Sequence, residues 1–456
     1  MSIQTEIDRI ITAVGTAYDA VEAKGGTAPA AQTIEGLAAA VGMIQTGIVP
    51  QLVVTVSAGA AVTATNGSKT ISGTSDSTGV CTLIVPESGT WSVSATLNGK
   101  TSNTQSVSVK DSYAVSLSFF LATITVTVDS GASVTLKKDG TTIETKTSTG
   151  TVVFTVYETG SYTVEATKNG QTTSGSVNVV SSTTSYALTL FFASSTLNNN
   201  EWSVIKSVSD AGQGENYWSV GDRKAVTLNG TVGGLTLSNY TTYAFIIGFN
   251  HNASVEGANR IHFLLGKTAL SGGTDVCLCD KIYNSPVTTT TTGYFSMIRG
   301  QSNKGGWEDS QMRTSICGTS LSSYSGTIIA VIPAALRAVL KPVTKYTDNT
   351  AKRSGSAASN VTATTDYFFL LSEFEVFGKI SYANSYEKNK QAQYAYYSAG
   401  NSKIKYKHNV TSAVTTWWLR SPSAIDDYSF IAVNTYGAVT IQRADYSLGF
   451  TSGFCV

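Results

Sequence analysis

A segment of about 72 residues occurs twice in succession, and this duplication constrains the fold more than any other feature of the chain. Val54-Thr55-Val56 returns as Val126-Thr127-Val128, and Gly59-Ala60-Ala61-Val62 as Gly131-Ala132-Ser133-Val134. Gly89-Thr90-Trp91-Ser92-Val93 returns as Gly160-Ser161-Tyr162-Thr163-Val164, Asn98-Gly99 as Asn169-Gly170, and Phe119-Phe120 as Phe191-Phe192. Between these anchors lie short alternating Thr, Val and Ser runs closed by turn dipeptides such as Asn66-Gly67 and Asp139-Gly140, which suit two-residue hairpins. Alternation punctuated in this way is the pattern of a small β-sandwich. The spacing therefore predicts two immunoglobulin-like sandwiches in series, over 50–120 and 121–192, with Trp91 and Tyr162 as core aromatics. Cys81 is the one cysteine in either unit, so no inter-sheet disulfide is expected.

The surface chemistry of the whole chain matches. Only 13% of its 456 residues are charged, with 31 Lys and Arg against 30 Asp and Glu, while 41% are hydrophobic. That hydrophobic content excludes disorder, and a net charge of +1 lacks the basic footprint of a nucleic-acid binder. Five scattered cysteines do not make a disulfide framework. No apolar run suits membrane insertion, and the N-terminus carries no readable signal peptide.

Ahead of the repeats, over 1–49, Ile3, Ile7, Ile10, Val14, Ala17 and Val21 step by four and three as a heptad seam that ends at Lys24-Gly25-Gly26. A second helix is expected from Ile34 through Leu37, Val41 and Ile44, stopping at Gly47-Ile48-Val49-Pro50. Two short helices with narrow seams bury too little alone, so this segment is expected to attach or oligomerise, as a trimer.

The remaining piece, 193–456, holds five of the six Trp and all three His, and reads as one α+β domain. Helices are expected from Pro333 to Leu340 and from Ser385 to Ala399. Trp417-Trp418-Leu419-Arg420-Ser421-Pro422 resembles the WWxRSP signature of C-type-lectin-like domains, related in fold to the formylglycine-generating-enzyme family. Gly305-Gly306-Trp307, the run from Leu340 to Thr347, the run from Leu370 to Gly378, and Ser447-Leu448-Gly449-Phe450 match in order. Domains of this kind, some diversified by retroelements, form receptor-binding heads of bacteriophage tail proteins. The resemblance implies a framework of Trp417, Trp418, Arg420, Phe430, Val433, Gly437 and Gly449. It also implies a variable, receptor-contacting surface of Asp426, Asp427, Tyr428, Ser429, Asn434, Tyr436, Gln442, Arg443, Asp445 and Tyr446. That residue mixture itself suits recognition: Tyr offers wide contact at little entropic cost, and small polar groups adapt their hydrogen bonds.

The search for reactive chemistry points away from an enzyme. Arg420 is expected to clamp Glu373 or Glu375 within the framework. Cys277-Leu278-Cys279 with Asp275, Asp280 and His262 lacks the duplicated CxxC spacing of zinc sites and reads as a strand. The adjacency of Asp426 and Asp427 does not establish the two carboxyls across a cleft that a glycosidase needs, and His251, His262 and His408 accompany no nucleophile motif. The expectation is a non-enzymatic adhesin without cofactor or metal, carried on a virion tail. Its partners are a bacterial surface glycan or protein at the head and tail or baseplate proteins at the helices. A bacterial surface adhesin and a tail polysaccharide depolymerase are the alternatives.

Overall fold

The computed structural model describes residues 2–44, 50–67, 69–287, 294–350 and 355–456. Its first element, α1 (Ile3–Ala23), starts at Ser2, whose hydroxyl accepts the Thr5 amide, and ends with Lys24 and a left-handed Gly25. The second, α2 (Ile34–Gly42), is capped by Thr33. They meet through Tyr18, Val21 and Ala40, and the Tyr18 hydroxyl donates to the Thr33 carbonyl at 2.8 Å. The second helix ends at Gly42, short of the expected Ile44; the expected stop at 47–49 lies outside the described residues. Among the described residues the N-terminal half of α1 has no packing partner, so Ile3, Ile7, Ile10 and Ile11 stand in solvent, Ile3 at 81% exposure.

Each repeat is a two-sheet β-sandwich. In the first, Gln51–Thr55 lies between Val80–Ile84 and Ser112–Ser116, facing a sheet built on Ala61–Asn66 and Gly89–Leu97. In the second, Ala122–Thr127 lies between Thr151–Val156 and Ser185–Thr189, facing Ser133–Lys138 and Gly160–Lys168 with their neighbours. Buried and exposed positions alternate strictly in strands such as Thr151–Val156, as a half-buried strand requires. The dipeptides Asn98-Gly99, Asp139-Gly140 and Asn169-Gly170 all have positive φ at both residues, the geometry of a type I′ hairpin. Trp91 and Tyr162 occupy equivalent core centres. Their polar tips find equivalent partners, the carbonyls of Glu87 and Glu158 four residues upstream, at 3.3 and 2.9 Å. A buried N–H or O–H left without an acceptor would cost about 1–3 kcal/mol, so both copies keep the solution.

From Leu197 to Val456 one continuous core forms the head. Its five-stranded sheet runs in the order Arg223–Val232, Leu235–Phe249, Ile261–Lys267, Gly453–Cys455 and Phe368–Phe369. A three-stranded sheet of Trp417–Pro422, Ser429–Val433 and Val439–Arg443 stands beside it. The first two of these strands are buried on both faces. Two helix expectations fail. Ser385–Ala399 is broken into a 3-10 turn at Glu387–Asn389 and an α-turn at Ala395–Ser398. The chain between them is pulled out by side-chain bonds, Gln391 to the Tyr346 carbonyl at 2.7 Å and Gln393 to the Val376 carbonyl at 3.1 Å. The helix after Pro333 spans only Ala334–Arg337, because the Arg337 guanidinium turns back onto the carbonyls of Ile329, Ala330 and Ile332.

Candidate functional site: the rim of the head and the ion network beneath it

The expected contact residues lie on the strands Ser429–Val433 and Val439–Arg443 and on the loops at their two ends. Ser429 is opposite Arg443, and Val433 is opposite Val439. At one end Asp427 and Tyr428 are exposed, Arg443 is 37% exposed along its side chain, and Tyr446 is half-buried. The Arg443 guanidinium lies 5.2 Å from the Tyr446 ring and is gripped by Asp445 at 2.8 and 3.1 Å. The Asp445 bond, and behind it the nearby phenols, raise the affinity of Arg443 for its proton. At the other end Tyr436 crowns the hairpin at 87% exposure. Four residue steps at about 3.3 Å separate the two ends by roughly 13 Å. Tyr436 is thus apart from the Tyr428–Arg443–Tyr446 group, with half-buried Asn434 and Gln442 along the ribbon.

Two expected contact residues do not face solvent. Ser429 is 2% exposed, in a strand covered on both faces. Its carbonyl accepts the Ser423 amide at 2.9 Å and the Asn303 side-chain amide at 3.1 Å. Asp445 is 4% exposed, because its carboxylate turns inward to hold Arg443. Two others spend their side chains on backbone. Asp426 Oδ1 accepts the amides of Tyr428 and Ser429 at 3.0 and 2.7 Å, and Asn434 Oδ1 accepts those of Tyr436 and Ala438 at 2.9 and 3.0 Å. These groups fix the loops that display their neighbours. Asn303, fully buried, completes the frame: its side-chain amide faces the carbonyls of Ser423, Asp426 and Ser429, and its own N–H donates to Asp427. No spacing or motif in the sequence marks Asn303.

The framework residues are interior. Trp417 and Trp418 are both fully buried, with indole N–H groups donating to the carbonyls of Lys403 and Phe295 at 2.9 Å. Phe430 is buried beside them. Gly437 has φ +77° in the hairpin, and a side chain at Gly449 would meet Cys277 Cβ at 2.9 Å.

The head also contains a buried ionic network. Arg420 holds Glu375 through both ends of its fork, with Nη2 to Oε1 at 3.0 Å, and its Nε donates to Thr347 at 2.9 Å. Glu373, the alternative partner, instead accepts the backbone amides of Ser381, Tyr382 and Ala383. Lys345, fully buried, reaches Glu256 at 2.7 Å, Glu375 at 2.9 Å and the Tyr394 hydroxyl at 2.9 Å. His251 stacks on Tyr394 with ring centroids 3.7 Å apart, and His262 approaches the Tyr394 hydroxyl at 3.1 Å. Burial alone would raise the Glu375 carboxyl, but Arg420 and then Lys345 outweigh it and hold it low. Burial pushes His251 down to about 3, and burial raises Glu256 despite Lys345.

Possible ligating atoms of His251, Glu256 and Glu375 lie within 4.8 Å of one another. Arg420 and Lys345 already neutralise both carboxylates, so the donor set fits an ion network better than a metal centre. The cysteine, aspartate and histidine group singled out in the sequence does not assemble: His262 faces Tyr394 and Cys455, Asp280 caps the amides of Ile282 and Phe295, and Cys279 meets Thr415.

The architecture is thus multidomain and mostly β, with a short helical N-terminus, two sandwiches and an α+β head. Residues 277–456, within the head, match the model of a family described as a domain of unknown function, DUF6273. No curated protein matches the chain. Among solved structures it is similar to the Bacillus anthracis TIE protein, at 14% identity, 31% of this chain, 33% of that chain and TM-score 0.16. It is also similar to the minor pilin of Streptococcus agalactiae, at 11% identity over 31% of this chain and 94% of that one, TM-score 0.21. The pilus adhesin SpaC from Lactobacillus rhamnosus GG gives 13%, 29%, 26% and 0.15. The match thus spans about a third of the TIE protein's length. Scores this low carry no argument about function.

Proposed function

We propose that the chain is an adhesin whose head recognises a bacterial surface molecule, glycan or protein, and that it serves as the receptor-binding protein of a bacteriophage tail. The observation that carries the reading is the rim at Asp427, Tyr428, Arg443 and Tyr446: an exposed Tyr428 ring beside a half-exposed Arg443 fork and Tyr446 ring, held from behind by buried Asn303 and Asp445 and half-buried Asp426. Recognition favours groups immobilised before contact, because less ordering entropy is lost on binding. The sandwiches serve as the arm. At the other end the solvent-facing Ile3, Ile7 and Ile10 supply the seam by which α1 joins copies of itself, and Ile at both seam positions favours three strands over two. Several heads on one particle then raise a modest single-site affinity by effective concentration.

The test is binding of fluorescently labelled full-length chain to whole cells of a strain panel. The reading expects selective binding that falls at least tenfold in the triple variant Tyr428→Ala, Arg443→Ala, Tyr446→Ala, and falls also in Tyr428→Ala alone, an exposed ring whose removal leaves the head's melting unchanged. Binding indifferent to the triple variant, or binding to none of the strains, counts against it. Release of new reducing ends from envelope glycans would replace it with a depolymerase.

A further inference from the structure

A second buried cluster of the head contains two lysines and one carboxylate. Asp275 precedes the short strand Val276–Cys277, which runs parallel to Lys405–Lys407, and it bridges antiparallel to Lys267 at the end of Ile261–Lys267. Lys267 Nζ contacts Asp275 Oδ1 directly, and Lys405 Nζ lies 3.6 Å from Oδ2. All three residues are buried, Lys405 completely. Among the described residues, neither Lys405 Nζ nor Asp275 Oδ2 has a hydrogen-bond partner. Around them are the rings of Phe245, 4.8 Å from Lys267 Nζ, and of Trp417, 5.2 Å from Lys405 Nζ, with the Tyr396 hydroxyl 2.8 Å from Lys267 Nζ. An ion pair in such a setting is costly unless its remaining hydrogen-bonding positions are filled. Lys345 in the network above meets that condition with three acceptors; in this cluster one amine and one carboxylate oxygen face each other at 3.6 Å without a hydrogen bond among the described residues.

We propose that Lys267 and Asp275 are joined by an intramolecular isopeptide bond. The Lys267 ammonium passes one proton to the carboxylate across their contact, and the freed amine attacks Cγ. The N–Cγ bond forms and one Cγ–O bond breaks. That oxygen leaves as water, carrying the proton the carboxyl gained and one more from nitrogen, so the product is a neutral secondary amide. No oxidant, reductant or co-reactant is consumed. Lys405 is the positioning residue: its ammonium, 3.6 Å from Oδ2, stabilises the negative charge that gathers on the carboxyl oxygens as nitrogen adds. The apolar walls favour the reaction, since two buried charges are replaced by a neutral amide. The bond closes the turn from Thr268 to Thr274, with its left-handed Gly272 and Gly273.

Mass spectrometry of the full-length chain decides the matter. The chain is expected to be lighter than its sequence mass by one water. Trypsin, which cannot cut after an acylated lysine, should then release residues 261–281 as one peptide with that water missing. Asp275→Ala should restore the full mass and cleavage after Lys267. Lys405→Met should lower the linked fraction at least severalfold while leaving the unlinked remainder folded. A wild-type chain of full mass cleaved after Lys267 overturns the proposal whether or not any variant folds. So does a missing water that maps to a cyclic imide at Asp139-Gly140 or to a link between Asp275 and Lys405.

Discussion

The sandwiches and the head reach stability by different routes. In the sandwiches every fully buried large residue is apolar or an aromatic with one satisfied polar tip, and the charges sit outside as pairs such as Lys138–Glu158 and Lys100–Glu158. In the head, Arg420, Lys345, Glu375 and Glu387 have essentially no access to water. The first route depends on alternation and tolerates change at the surface. The second depends on mutual pairing of a few charged groups, so one deletion strands the rest. Polar groups there fix which loops go where, as Asn303 does for the loop from Ser423 to Ser429.

The largest effect that separates the regions is Glu375→Ala. It leaves Arg420 and Lys345 charged and short of a partner, and breaking a buried pair costs about 3–5 kcal/mol. Calorimetry of the full chain should show the head transition falling while the sandwich transitions stay; a common shift of all transitions would erase the distinction.

Acid should separate them next. Burial pushes His251 from 6.5 to about 3, and burial drives His262 down too, so the unfolded chain takes up protons that the folded head refuses. The histidine contribution is complete above 6.5 and shrinks as pH falls toward 3. Glu387, which burial pushes from 4.5 to about 7, has the opposite sign: the folded head binds its proton first, so falling pH stabilises through that window. The two trends oppose each other between 6.5 and 4.5, and below 4.5 the histidine loss is unopposed. Melting of the head should therefore hold from neutral pH to near 4.5 and then drop more steeply than that of the sandwiches. A drop that is equally steep in both would contradict the assignment.

The smallest effect is Glu158→Gln, which removes two exposed pairs and should cost below about 1 kcal/mol, vanishing in high salt. A larger, salt-independent loss in chemical denaturation would mean that the sandwiches too rest on ionic contacts.

The same contrast explains what could be read from the residues alone. Strict alternation and three Asn-Gly or Asp-Gly turns gave each sandwich its strands, and local chemistry suffices for such hairpins. A carboxylate clamp on Arg420 was legible as well, because a buried arginine needs a carboxylate, but the residues alone left Glu373 and Glu375 both open and the structure selects Glu375. The gathering of His251, Glu256, Lys345 and Tyr394 was not, since those contacts join segments distant in the sequence. Ser429 and Asp445 came to the contact surface through the resemblance, whereas Ser429 lies in a strand covered on both faces and the Asp445 carboxylate is buried on Arg443. The continuous helix expected over Ser385–Ala399 failed for a related reason: tertiary hydrogen bonds of Gln391 and Gln393 override local propensity.

The central claim is that a rigid frame displays Asp427, Tyr428, Arg443 and Tyr446 for recognition. It is tested most directly by cell binding of Asn303→Ala, which touches the frame and none of the displayed side chains. The account predicts weakened binding together with faster amide exchange confined to the loop at 423–429, the remainder of the head keeping its protection. Binding at full strength with that loop demonstrably loosened would contradict it.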